Sequence, residues 1–125
     1  MIIKESERVN PIKIKDAETN HIYILDFNRE SVQYAESQGF NWDLIKTQYA
    51  TMVELLWYCA FRRYDRRVSR EKAIDILEKL GGMRPEWLSR LQDLYLQSIA
   101  SLIADPDSEG NEEDAKNAKL TLSLD

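Results

Sequence analysis

A single cysteine (Cys59) and a single histidine (His21) stand in a chain of 125 residues. One thiol closes no internal disulfide, which fits a reducing compartment. With one histidine beside it, no pair has the spacing of a zinc site. Glycine and proline are also sparse, at four and three. Neither GxxxxGK[ST] nor GxGxxG occurs, so no phosphate-cradling loop is read here. No window reaches the roughly 18 apolar residues of a membrane-spanning helix. The first residues, MIIKESERVN, carry charge at Lys4, Glu5, Glu7 and Arg8 and do not read as a signal peptide. The expectation is a protein of the cytoplasm.

What the chain does have is core material. Hydrophobic residues make up 43%, with three Trp, six Tyr and three Phe, enough for one folded domain. Charge divides the chain in two. From Asp105 onward seven acids face only Lys116 and Lys119, which accounts for the whole net charge of −5. The first 104 residues carry 15 acids and 15 bases. The organisation expected is a domain over 1–104 and a flexible acidic tail over 105–125.

Residues 9–27 read as a β-hairpin. Val9, Ile12 and Ile14 alternate with Lys13 and Lys15, DAETN makes the turn, and HIYILDF returns with Tyr23, Leu25 and Phe27 on one face. Two strands alone are marginal in water, so the hairpin must pack on helices or pair with another chain. Asn28 is a fitting N-cap for a helix over 29–38, stopped by Gly39. A second helix is expected from Asn41 or Asp43 to Tyr64, apolar all round beyond Leu55 and therefore buried. Ser69 caps a third, which Gly81-Gly82 end. Pro85 opens a fourth, running towards Asp105-Pro106. In the tail only LTLSL (Leu120–Leu124) alternates in the manner of a strand that could pair with an offered edge. The fold class expected is α+β: an N-terminal hairpin packed on about four α-helices.

Catalytic chemistry finds little to stand on. His21 lies alone beside a turn. Cys59 sits inside the apolar run Leu55–Phe61, where burial raises a thiol pKa and makes it inert. Asp26 with Glu30, and Asp75 with Glu78, read as surface charge on amphipathic elements. No catalytic residue, cofactor or metal is therefore expected. The sharpest candidates are basic and apolar. Arg62, Arg63, Arg66, Arg67 and Arg70 crowd the break between the second and third helices. They would contact phosphates in a DNA-binding regulator, but the body is neutral and the tail acidic, unlike most nucleic-acid domains. They also lie at a helix C-terminus, where the helix dipole favours positive charge. A protein partner is the reading preferred for them, with the acidic tail a further candidate to mask them. Trp42, Leu96 and Ile103 are the apolar candidates for a partner surface.

Two segments, IYILDFNRESVQYAESQGF (Ile22–Phe40) and ELLWYCAFRRYDRRVSREKAIDILEKLGGM (Glu54–Met83), bear a likeness. In sequence and order they resemble small proteins of siphophage and Gram-positive prophage tail modules, of the tail assembly chaperone kind. The resemblance spans about residues 9–104. It implies a non-enzymatic protein that binds the long tape measure protein or the tail tube protein during tail morphogenesis. A structural tail-completion protein is the other reading within that class. Self-association is left open, and neither nucleic acid nor membrane is expected as a partner.

Overall fold

Alternation and turn chemistry build the N-terminal hairpin. In the computed structural model, which describes residues 8–103, β1 (Ile12–Lys15) pairs antiparallel with β2 (Ile22–Leu25), Ile12 opposite Leu25 and Lys15 opposite Ile22. The turn closes where the Asp16 N–H donates to the His21 carbonyl at 2.8 Å, with Asn20 at φ 60°. Ile12 and Ile14 face inward beneath the sheet, while Lys13 and Lys15 are exposed. Leu25 and Phe27 are buried.

Four α-helices follow: α1 (Arg29–Ser37), α2 (Tyr49–Phe61), α3 (Arg70–Lys79) and α4 (Pro85–Ile99). Their ends obey local rules. Asn28 Oδ1 accepts from the Ser31 N–H while Ser31 Oγ accepts from the Asn28 N–H, a capping box at the start of α1. Ser69 Oγ accepts from the Lys72 N–H at the start of α3. Gly39 (φ 97°) and Gly81 (φ 92°) end α1 and α3 in the left-handed region, which a residue without a Cβ enters at no steric cost. Around each, paired hydrogen bonds satisfy the last carbonyls: Gly39 to Glu36 and Phe40 to Ala35, then Gly81 to Glu78 and Gly82 to Leu77.

The middle of the chain departs from the expected helix over Asn41–Tyr64. Asn41 Oδ1 accepts from the Asp43 N–H and starts only a 3-10 turn, Trp42–Leu44. Gln48, at φ −132° and ψ 51°, is not helical, so α2 begins at Tyr49, and it ends at Phe61 rather than Tyr64. Asparagine's side chain offers the backbone a competing local bond, and one turn is all that it nucleates. At the other end α4 gives way at Ala100 to a second 3-10 turn, Ala100–Leu102. The Asp105-Pro106 stop, the acidic tail and LTLSL lie outside the described residues.

The centre of the fold is α2. Leu56, Trp57, Cys59 and Ala60 are fully buried, packed against α1, α3 and β2. Each large side chain taken out of water there contributes about 1.5–3 kcal/mol relative to an exposed one. Trp57 spends its one polar atom well: Nε1 donates to the Ala73 carbonyl at 2.8 Å, tying α2 to α3. Leu91, Leu94 and Tyr95 of α4 close the core from the α1 side. Val9, just before β1, is held against α4 by the Gln97 carboxamide, which accepts from the Val9 N–H at 2.9 Å and donates to its carbonyl at 3.2 Å. Among the described residues no helix is long and apolar enough to cross a membrane.

Candidate functional site

The arginines that follow α2 are a cluster of basic side chains, and the fold uses most of them. Arg63 reaches back to the end of β2. Its Nη1 donates to Asp26 Oδ2 at 2.7 Å and to the Phe27 carbonyl at 3.2 Å. Asp26 is 4% exposed, so the expectation of a surface carboxylate is corrected: it is a buried acid with a long-range partner. Its other oxygen accepts from the Phe27 N–H at 2.8 Å, and its own N–H donates to the Ala60 carbonyl at 3.0 Å. Burial raises the Asp26 pKa above the usual carboxylate value, and the Phe27 N–H and the Arg63 charge only partly oppose this.

The neighbours are engaged in similar ways. Arg66 pairs with Glu30 of α1, so Glu30 too has a specific partner. Arg67 Nε lies 3.3 Å from Asp65 Oδ1. The Asp65 Oδ2 is 3.7 Å from His21 Nε2, so one carboxylate faces both the hairpin turn and the arginine segment. The Arg62 guanidinium lies 3.7 Å above the Tyr34 ring, and its Nη1 donates to the Tyr58 hydroxyl at 3.4 Å. Arg70, the first residue of α3, makes no ion pair among the described residues. Basic residues in sequence are thus an electrically mixed surface in space. A cleft of about 110 Å³ between the start of α1 and the end of α2 is lined by Ser31, Tyr34, Arg62 and Arg63, and the two arginines already hold partners there.

The apolar candidates separate. Trp42 is half-buried, edge-on to Phe40 at 4.8 Å and to Tyr95 at 5.3 Å. Its indole therefore serves mainly to close the core beside α4. Its Nε1 has no hydrogen-bond partner among the described residues. Leu96 and Ile103 do reach the surface, at 37% and 48% exposure. Leu102, within the span expected for the fourth helix, is also exposed, at 61%. Leu96 lies within α4, while Leu102 and Ile103 lie at the 3-10 turn and its end. Arg29 Nη2 donates to Ser101 Oγ at 3.0 Å, which joins this apolar end to the charged start of α1.

Cys59 is fully buried, and burial pushes its thiol pKa up to about 12. Among the described residues no three of His, Cys, Asp or Glu gather where a metal ion could bind. In comparisons with known proteins, the family model of a domain of unknown function, DUF5055, matches residues 4–120. No curated protein and no solved structure matches the chain.

Proposed function

We propose, for a chain that belongs to the DUF5055 family, a non-enzymatic role as an assembly chaperone in phage or prophage tail morphogenesis. Its client would be the tape measure protein, presented as an amphipathic helix. One observation carries this reading. Leu96 and Leu102 are exposed apolar residues around the end of α4, and the Arg29–Ser101 bond brings that end of the helix beside the charged group of Arg29, Glu30 and Arg66. An apolar strip with a charged border is the surface on which an amphipathic helix docks. The likeness of Ile22–Phe40 and Glu54–Met83 to tail-module proteins supplies the client. The ion pairs of Arg63, Arg66 and Arg67 weigh against the DNA-binding alternative, because a phosphate would have to compete with a carboxylate already in place.

The test is co-expression with a tape measure protein. The wild-type chain is expected to raise the soluble fraction of the client and to co-purify with it. The variant Leu96→Asp/Leu102→Asp is expected to lose both while keeping its own fold. A client that is equally insoluble with and without the wild-type chain overturns the reading. For the regulator, DNA affinity is measured against salt, and a steep fall with rising salt would reinstate it.

A further inference from the structure

A groove of about 270 Å³ runs between the hairpin and the join of α3 to α4. β1 forms one wall, Leu80 and Trp87 form the other, and Trp57 contributes from within the core. Its charge is of one sign. The clefts along α3 bring acids and bases together, whereas this one has Lys13 and Lys15 and no acid among the described residues. Neither lysine makes an ion pair among those residues. The Arg84 guanidinium lies 4.9 Å from the centroid of the half-buried Trp87 ring and adds a third cation beside the same indole. That indole is held in place. It stacks on Trp57 at 6.4 Å and 25°, and Trp57 is anchored to the Ala73 carbonyl.

We propose that this groove binds an extended segment of a partner protein in which one aromatic residue stands between two acids. Spacing and charge both point to that occupant. Alternation along β1 turns Ile12 and Ile14 inward and leaves Lys13 and Lys15 on the exposed face. Two residues of strand separate the lysines by about 7 Å. In an extended acid–aromatic–acid segment the two acids are also about 7 Å apart on one face, and the ring lies on the other. The carboxylates then meet the unpaired lysines while the ring enters the space between Leu80 and Trp87, where an indole offers edge-to-face or offset contact. The volume falls just short of the roughly 300–1,000 Å³ of pockets that enclose a drug-sized ligand, which suits a single large side chain.

The occupant is not this chain. No aromatic residue anywhere in its 125 residues is flanked on both sides by acids. Residues 1–7 and 104–125 hold no aromatic residue at all, so neither terminus supplies the ring, and a second copy lacks the triplet as well. The arginines after α2 are the other basic surface, but most of them already hold carboxylates or rings from within the fold.

This inference does not depend on the chaperone reading and is tested on the full chain. The probe is the peptide acetyl-Gly-Glu-Phe-Glu-Gly-amide, which contains no indole, followed by NMR of the three tryptophan indole N–H signals of the protein. The Trp87 signal is expected to move to saturation at millimolar peptide. The Trp42 signal, from the indole packed on Phe40 and Tyr95, is expected to stay. Replacing the peptide's Phe by Ala, or both its Glu by Gln, should raise the Kd at least about tenfold. Lys13→Glu/Lys15→Glu, at two exposed positions, should do the same, while an unmoved Trp57 signal shows the core intact. Equal binding by either altered peptide or by the double variant overturns the proposal, as does a Trp87 signal that does not respond. So does phenylacetate binding as tightly as the peptide, which would mean a small aromatic acid instead of a protein segment.

Discussion

The Arg63 guanidinium lies 2.7 Å from Asp26, across 37 residues of chain, and joins the end of the hairpin to the end of α2. Arg63 is itself 37% exposed while the Asp26 side chain is 6% exposed, so the two partners differ in what their loss leaves behind. Arg63→Ala strands a buried carboxylate without its cation and is expected to cost about 2–3 kcal/mol. Asp26→Asn keeps an oxygen for the Phe27 N–H and is expected to cost under about 1 kcal/mol. The double variant should recover much of the loss of Arg63→Ala. Urea unfolding of the four proteins checks this, and equal losses from the two single variants would contradict it.

The raised pKa of Asp26 has a sign in pH. A carboxyl that binds its proton more tightly when folded gives a folded state with more bound protons than the unfolded one. Stability therefore falls as pH rises from the unfolded value of 3.8 through the higher folded one. Asp26→Asn removes that slope. The difference in unfolding free energy between variant and wild type should move in favour of Asn as pH goes from about 4 to 7. A difference that stays constant over that window would show that burial does not dominate at this carboxyl.

Cys59 should be silent towards thiol reagents in the folded protein. Its pKa of about 12 leaves almost no thiolate at neutral pH, and no path leads to it from solvent. Labelling with a chromogenic disulfide in native buffer is expected to run at under about 1% of the rate in 6 M guanidinium, limited by opening of the fold. A rapid native reaction would mean that the α2 core opens far more readily than its packing implies.

Gly81 separates conformational cost from steric cost. A Cβ built there meets nothing within 4 Å, yet the residue sits at φ 92°. Gly81→Ala is expected to lose about 1 kcal/mol from backbone strain alone. Asn28→Ala, which removes the cap of α1, is expected to lose about the same. Thermal denaturation of the two variants is the measurement.

Much of this architecture is written in local signals. Asn28, Ser69 and Pro85 mark helix starts, Gly39 and Gly81 mark stops, and the alternation around Ile12–Leu25 marks the hairpin. Each acts within a few residues, which is why a linear reading finds it. The start of α2 was hidden because Trp42, Leu44 and Ile45 continue an apolar pattern into a turn that Asn41 closes on itself. The pairing of Asp26 with Arg63 and of Glu30 with Arg66 was hidden for a different reason. Those acids and bases are 36 or 37 residues apart, and only the packing of α1 and β2 against α2 brings them together. Read along the chain, the arginines look like a surface waiting for a partner; in space they have largely found one.

The clasp between Gln97 and Val9 also bears on the order in which the molecule assembles. It joins residues 88 apart, the widest chain separation among the side-chain hydrogen bonds of the described residues. Such a contact belongs late on the folding route, after α2 has gathered its neighbours. Gln97→Ala should then quicken unfolding while leaving the refolding rate nearly unchanged, a signature that stopped-flow chevron plots resolve. The hairpin would behave as a door hung on α2 and latched by α4, opening first when the molecule begins to come apart.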